Sequence, residues 1–394
     1  MNRIIKALLC TFVIVIIIFT SCISTVTAEQ PELELEAEAA VLMDARTGKI
    51  LYNKNGEKPL PPASITKIMT LLIALEALDE GVVDKENLVT TSERAWRTGG
   101  SQMFLELGQQ VAYWDMIRGI AIASANDACI AIAEHLYGSV ETFVEWMNKR
   151  ARDLGLLNTN FVNPHGIPHP EHKMSATDIA KLSSFFISTQ PEGHALELEK
   201  EFVFNDIKQY NRNPLLGKYE GADGLKTGWT GEENAGYNLV GTAERNGMRL
   251  ISVVLNNTSD ATRLRDSEIL LNYGFNNFEL VSLATSDEII DSIPLSRGVE
   301  RELSVSPVAD LEAVIPKGQK ESIEMELVIS EEVIAPVNKG DSLGTLQALL
   351  NGELLAEVEV AAAETVNQAS FFTLLFRYLS DFFSSLIHGL FQRK

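Results

Sequence analysis

Cysteine is almost missing from this chain, with three in 394 residues. Cys10 and Cys22 fall inside the apolar opening segment, so once that segment is removed Cys129 stands alone and no intramolecular disulfide can form. Stability must then come from packing. Cys129 sits among Ala128, Ile130, Ala131 and Ile132 and reads as a small buried hydrophobe rather than a nucleophile. Histidine is also scarce, at six residues. His165, His169 and His172 are the one cluster, and they lack acids or thiols at ligand spacing, so no metal site and no cofactor are expected. Positive charge is short as well: 33 Lys and Arg stand against 54 Asp and Glu, for a formal net charge of −21. Loss of Arg3 and Lys6 with the opening segment would make it more negative still, which argues against nucleic acid as a partner. No internal repeat is detectable.

What is present is apolar mass. With 45% hydrophobic residues over this length, the chain can bury more than one core, and disorder is excluded. The first stretch has basic Arg3 and Lys6, an apolar run to Phe19 and small residues to Ala28, the three parts of a secretory signal spanning 1–28. Val26-Thr27-Ala28 satisfies the small-residue rule for cleavage. Phe19-Thr20-Ser21-Cys22 is the poorer, lipoprotein-like alternative, because Phe is bulky where Leu is usual. The chain is expected to be exported.

The segments Ala39–Asp44 and Lys49–Tyr52, flanking Ala45-Arg46-Thr47-Gly48, then predict a β-hairpin. Helical patterns follow after Ser64, from Trp114 to Leu136 and from Ala176 to Ile187, with Asn-, Pro-, His- and Gly-rich loops between them. Strand patterns return at Tyr237–Thr242 and Arg249–Leu255, before a helix from about Ala261 to Tyr273. The expected fold class is therefore α/β (α+β): a mixed antiparallel sheet built from both ends of residues 35–278 and covered by helices, beside an all-α lobe, with a cleft between the two. After Phe278 short alternating strands such as Leu303–Val305, Ile323–Ile329 and Glu353–Val360 predict a small all-β sandwich over 284–362. It carries no cluster suggestive of chemistry.

Residues 370–394 read as a C-terminal amphipathic helix. Thr373, Arg377, Ser380, Asp381, Ser384, Ser385, His388 and Gln392 fall in one arc of roughly 140°. Phe372, Leu375, Phe376, Leu379, Phe383, Leu386, Ile387 and Leu390 fill a broad apolar face that suits insertion at a membrane surface. Docking of that helix on its own domain is the alternative.

Chemistry is concentrated in three short motifs. Ser64-Ile65-Thr66-Lys67 opens an apolar helical run, and residues three apart share a helix face, so Lys67 can take the proton of Ser64 as its oxygen attacks. Ser124-Ala125-Asn126 follows on the all-α side: Ser124 can relay a proton between Lys67 and a leaving amine, and Asn126 can hold a substrate amide. Lys226-Thr227-Gly228 lies on a strand, where Lys226 supplies positive charge near Ser124 and Gly228 lets substrate lie close. Each motif alone has an ordinary structural reading, as a turn hydroxyl, a helix cap or a solvated charge. All three in this order make chance a poor explanation.

Through Ser64-Ile65-Thr66-Lys67, Ser124-Ala125-Asn126-Asp127 and Lys226-Thr227-Gly228-Trp229-Thr230 the chain resembles the D-alanyl-D-alanine carboxypeptidases, low-molecular-mass penicillin-binding proteins of the bacterial envelope. Asn163-Pro164-His165-Gly166, Asp223-Gly224-Leu225 and Ala235–Val240 are similar too, and the resemblance runs from about Glu36 to the C-terminus. It implies a beta-lactamase/transpeptidase-like fold. It also implies removal of the terminal D-alanine from peptidoglycan stem pentapeptides through an acyl-enzyme on Ser64, trapping by beta-lactams, and a place on the outer face of the cytoplasmic membrane. Lys226, Thr227, Thr230 and Arg263 become candidates for the substrate carboxylate. The backbone N–H groups of Ser64 and Trp229 become candidates for the oxyanion. His172 falls where it could position a deacylating water, with a loop or capping histidine as the alternative. Ala125 in place of the common Gly narrows its turn, and Trp229 adds bulk beside the strand.

The same residues would serve a D,D-endopeptidase. A serine beta-lactamase would add a glutamate base, and Glu268-Ile269-Leu270-Leu271-Asn272 matches that pattern only in letters, since it follows the Lys-Thr-Gly strand. A non-catalytic envelope scaffold is the alternative from another class.

Overall fold

A computed structural model describes residues 31–231, 235–286 and 288–391, with side chains through Asp381. The expected signal at 1–28 lies outside the described residues.

Strand β1 (Ala39–Asp44) is buried along its whole length, and β2 (Ile50–Lys54) pairs with it antiparallel. The turn between them is fixed by Asp44, whose Oδ1 accepts from the N–H and the hydroxyl of Thr47 at 2.8 and 2.7 Å. After a 3₁₀ turn at Ala63–Thr66 comes α1 (Lys67–Asp79), apolar on nearly every face and correspondingly central. The lobe around it contains β3 (Leu88–Thr90), α2 (Glu93–Arg97), β4 (Gln110–Ala112), α3 (Tyr113–Ile122), α4 (Asn126–Tyr137), α5 (Val140–Asp153), α6 (Ala176–Thr189) and α7 (Pro191–Leu196). Ser92, Ser139 and Ser175 cap α2, α5 and α6 through their hydroxyls. Two small two-stranded sheets, β3 with β4 and β5 (Glu201–Phe204) with β6 (Ile207–Tyr210), interrupt a lobe the sequence reads as all-α.

The chain then returns to the sheet through β7 (Ala222–Trp229), β8 (Tyr237–Arg245) and β9 (Met248–Asn257), and leaves by α8 (Asp260–Asn277). Strand order is β2-β1-β9-β8-β7, antiparallel throughout, so the two ends of this region do share one sheet and β7 forms an edge. Alternation divides the sheet's faces. Val41, Met43, Ile251, Val253 and Leu255 join the large core with α1 and α6. Leu42 and Leu250 point the other way, where Gly274 of α8 leaves room for them.

The single helical pattern from Trp114 to Leu136 is a correction: Ala123–Ala125 break it into α3 and α4, with Ser124 at φ +60°. That left-handed residue turns the chain sharply, which a continuous helix could not do.

Beyond α8, β10 (Phe278–Ala284) pairs with β13 (Leu311–Pro316). A second five-stranded sheet has the order β11 (Asp291–Pro294), β12 (Glu302–Pro307), β16 (Glu353–Ala362), β15 (Ser342–Leu350), β14 (Ile323–Ile329). Leu303, Val305, Leu346, Val360 and Ile315 fill small cores in this all-β region. Arg46 pairs with Glu312 and Lys49 donates to Val314 O, tying the first hairpin to β13. The last helix, α9 (Phe371–Phe391), is polar toward its own chain: Arg377 donates to Gly298 O and Val299 O, and Arg301 pairs with Asp381 at 3.2 Å. Phe371, Phe372, Phe376 and Tyr378 are exposed. No helix among the described residues is long and apolar enough to cross a membrane.

Candidate active site

The Ser64 turn is held from two sides. Ala63 takes φ +51°, and Gly166 at φ +87° packs so closely that a Cβ there would stand 1.9 Å from Ala63 O. Gly228 meets the same turn from β7, where a Cβ would lie 2.7 Å from Pro62 O. A close neighbour that requires glycine at 228 is thus the nucleophile's own turn.

Lys67 Nζ lies 2.9 Å from Ser64 Oγ and 2.7 Å from the carbonyl oxygen of His165. The side chain is wholly buried. That burial, with the positive charges of Lys226 and Arg212, pushes the amine from its ordinary 10.5 down to about 7. An amine in that range is a usable base near neutrality.

The break between α3 and α4 aims Ser124 and Asn126 into the same space. Ser124 is 4% exposed and its Oγ has no partner among the described residues. Asn126 donates from Nδ2 to Gly99 O at 2.8 Å and from its backbone N–H to Ser101 O, leaving Oδ1 without a donor. Asp127 anchors the facing loop: its carboxylate accepts from the N–H groups of Met103, Leu105 and Ala128 at 3.0–3.1 Å. Cys129 donates to Ala125 O and is pushed up to about 12 by burial, which leaves it an inert thiol.

These elements enclose a cleft of about 590 Å³. Ser64, Ser124, Asn126, Thr227, Gly228, Trp229, Thr230 and Arg263 line it together. Lys67 and Lys226 stand behind its surface, buried and within electrostatic reach of one another. Arg263 is held by Asp260, donates to Gly228 O and Asn238 O, and lies over the ring of Tyr237. Trp229 is exposed at the rim, 6.1 Å from Tyr237.

His172 is the expected site residue that lies elsewhere. Its Nδ1 accepts from Val162 N–H at 3.1 Å, which leaves the proton on Nε2, 2.8 Å from Thr66 Oγ1. Thr66 in turn donates to Ala63 O. Burial lowers the imidazole to about 4, so it stays neutral, props the nucleophile's turn from behind, and has no free nitrogen for a water. Ser175, not His172, caps α6. His165 does line the cleft, with Nδ1 accepting from Ile167 N–H. His169 bonds only locally, to Glu171 N–H, and no group of three or more metal-binding side chains occurs among the described residues.

Gly100, Ser101, Ile167, Pro168 and Arg212 also line the cleft, outside the motifs that the sequence marks. Gly100 and Ser101 come from the loop that Asp127 holds, Ile167 and Pro168 from the loop after α5, and Arg212 reaches in from the loop after β6 to donate to Ser101 Oγ at 2.7 Å. Only the Arg-Asn-Pro run around Arg212 hints at a shaped loop. Glu268 lies on α8, outside the cleft lining, so its motif-like setting is accidental.

Residues 24–259 match the family model described as D-alanyl-D-alanine carboxypeptidase, and 278–368 match that of the penicillin-binding protein 5 C-terminal domain. The D-alanyl-D-alanine carboxypeptidase DacF of Bacillus subtilis (strain 168) is 37% identical over 385 residues, covering 95% of this chain and 98% of its own. Penicillin-binding protein 5 from Haemophilus influenzae superposes with a TM-score of 0.80 at 37% identity, over 86% of this chain and 99% of that one. Penicillin-binding protein D2 from Listeria monocytogenes in its ampicillin-bound form superposes at 0.57 with 33% identity, over 62% and 100%.

Proposed function

This chain belongs to the D-alanyl-D-alanine carboxypeptidase family, and we propose that it hydrolyses the terminal D-alanine from peptidoglycan stem pentapeptides through an acyl-enzyme on Ser64. The observation that carries this reading is the buried Lys67 amine, about 7 and 2.9 Å from Ser64 Oγ, in a cleft shared with the unpartnered hydroxyl of Ser124. Neutral Lys67 takes the Ser64 proton as Oγ attacks the carbonyl of the penultimate D-alanine. The oxyanion is met by the N–H groups of Ser64 and Trp229. Ser124 passes the proton to the leaving amine, free D-alanine departs, and water then hydrolyses the ester. Asn126 Oδ1 accepts from a substrate amide. Thr227, Thr230 and Arg263, with Lys226 behind them, receive the terminal carboxylate.

Beta-lactams trap the same serine in this reading, and the ampicillin-bound neighbour supports it. Brief exposure to penicillin should give a mass adduct on Ser64 that Ser64→Ala abolishes; a native chain without an adduct would mean a scaffold. Slow release of that adduct separates the carboxypeptidase from a beta-lactamase. Free D-alanine from a pentapeptide, with a crosslinked dimer left uncut, separates it from an endopeptidase.

The envelope location follows from the substrate, with residues 1–28 as export signal, 35–278 as catalytic domain and 284–362 as the β domain. Residues 370–394 would rest on the membrane surface. The support is that α9 spends its polar side chains on its own β region and leaves Phe371, Phe372 and Phe376 outward.

A further inference from the structure

One buried acid behind the cleft takes no part in the chemistry above. Glu197 follows α7, is 1% exposed, and its Oε1 has no hydrogen-bond partner among the described residues. A dry, unpaired carboxylate oxygen is costly to keep, so its place needs a reason.

Strand β7 supplies one. Gly224, Lys226 and Gly228 alternate onto a single face of it. At the Gly224 end that face meets α7 and the residue after it: a Cβ there would lie 3.4 Å from His194 Nε2 and 3.8 Å from Glu197 Cβ. At the Gly228 end it meets Pro62 O and Ala63 Cβ, beside Ser64. Lys226 sits midway between the acid and the nucleophile's turn. It is 4% exposed. The charges acting on it come from five other elements: Glu197 foremost, opposed by Arg212 from the loop after β6, Arg263 from α8 and Lys67 from α1, with the thiol of Cys129 on α4. Glu197 feels the charge of Lys226, and His194 lies with it at the Gly224 end of the strand. Asp223, 3.7 Å from His194 Nε2, is itself occupied by Arg249 and Thr242.

We infer that Glu197 is the buried counter-charge of Lys226, a positioning residue that keeps this ammonium seated and charged behind the site of the substrate carboxylate. Burial pushes the Glu197 carboxyl up against the pull of Lys226, and lowers Lys226 against the pull of Glu197, so each sets the other's proton. Without the acid, Lys226 is left in a dry wall among cations. It then gives up its proton at lower pH and no longer draws the carboxylate.

The consequence for turnover rests on the carboxypeptidase reading; the pairing does not. Glu197→Gln should raise KM for a pentapeptide about tenfold or more above neutral pH, with kcat changed less, and should bring the alkaline limb of kcat/KM to lower pH. Glu197→Asp, which keeps the charge, should recover most of both. An unmoved alkaline limb with unchanged KM overturns the inference.

A second measurement needs no activity. In Ser64→Ala protein carrying ¹³C-labelled glutamate, the Glu197 carboxyl should titrate at higher pH once Lys226→Met is added, because burial then acts unopposed. Titration at the same pH with and without Lys226 overturns the pairing, even if Glu197→Gln does not fold. Native protein that releases no D-alanine sinks the carboxypeptidase reading alone, and this titration then decides whether the pair exists.

Discussion

Lys67→Met should make the protein more stable, and by an amount that shrinks as pH rises. The amine is wholly buried and falls from 10.5 to about 7 on folding. Between those values the unfolded chain binds more protons than the folded one, so stability climbs with pH across that window. Below pH 7 both states are protonated and the fold carries the full penalty, ~5 kcal/mol at 1.36 kcal/mol per pH unit. The penalty is ~4 kcal/mol at pH 7 and ~2 kcal/mol at pH 9 by the same relation. Methionine fills similar volume without an ionisable group. It forfeits the contacts to Ser64 Oγ and His165 O, but that loss is nearly the same at both pH values. The stability difference between variant and native protein, from urea unfolding followed by tryptophan fluorescence, should therefore be about 2 kcal/mol smaller at pH 9 than at pH 7. The native protein's rate of penicillin acylation should rise with pH through an apparent value near 7. A stability difference independent of pH would mean that Lys67 keeps an ordinary amine, and the neutral base would be lost from the mechanism.

Asp127→Ala removes the acceptor of three backbone N–H groups and should cost ~2–4 kcal/mol by urea unfolding, with a higher pentapeptide KM as Gly100 and Ser101 shift; a loss below ~0.5 kcal/mol would show that the loop stands without it. Gly166→Ala must move Ala63 O from a 1.9 Å overlap at a left-handed position, so acylation of Ser64 should slow at least about tenfold while the chain still folds; unchanged acylation would mean the turn is not held from that side. Truncation before Ser370 should leave D-alanine release intact and abolish co-sedimentation with phospholipid vesicles, and co-sedimentation that survives would refute membrane seating by α9.

The hairpin is readable because two strand-like segments flank a short turn that ends in Gly48. Ala39–Met43 is apolar throughout, so only the structure shows that Val41 and Met43 enter the large core while Leu42 packs on the other face of the sheet. Ser64 and Lys67 were readable because helical geometry alone brings residues three apart together. Ser124 was named but its setting was hidden: Ile120–Ala123 and Ala128–Ile132 continue one apolar pattern, and no glycine or proline marks the left-handed residue between them. Arg212, Ser101 and His165 arrive on loops, where spacing carries no information about which way a side chain points.

Glu197 and His172 reveal a different limit. In sequence each is one polar residue among several, and only the tertiary structure separates them, by taking water away. For His172 the loss is covered by bonds to Val162 N–H and Thr66, so the ring becomes a strut. For Glu197 it is not covered, so the carboxylate must find its compensation in charge at a distance, and Lys226 is the ammonium on the strand face that it meets. Burial with satisfied hydrogen bonds argues for structure, and burial without them argues for electrostatic work. By that criterion the chemistry proposed for the cleft extends one layer behind its lining: in that reading two buried lysines supply its base and its field, and an acid outside the motifs governs one of them.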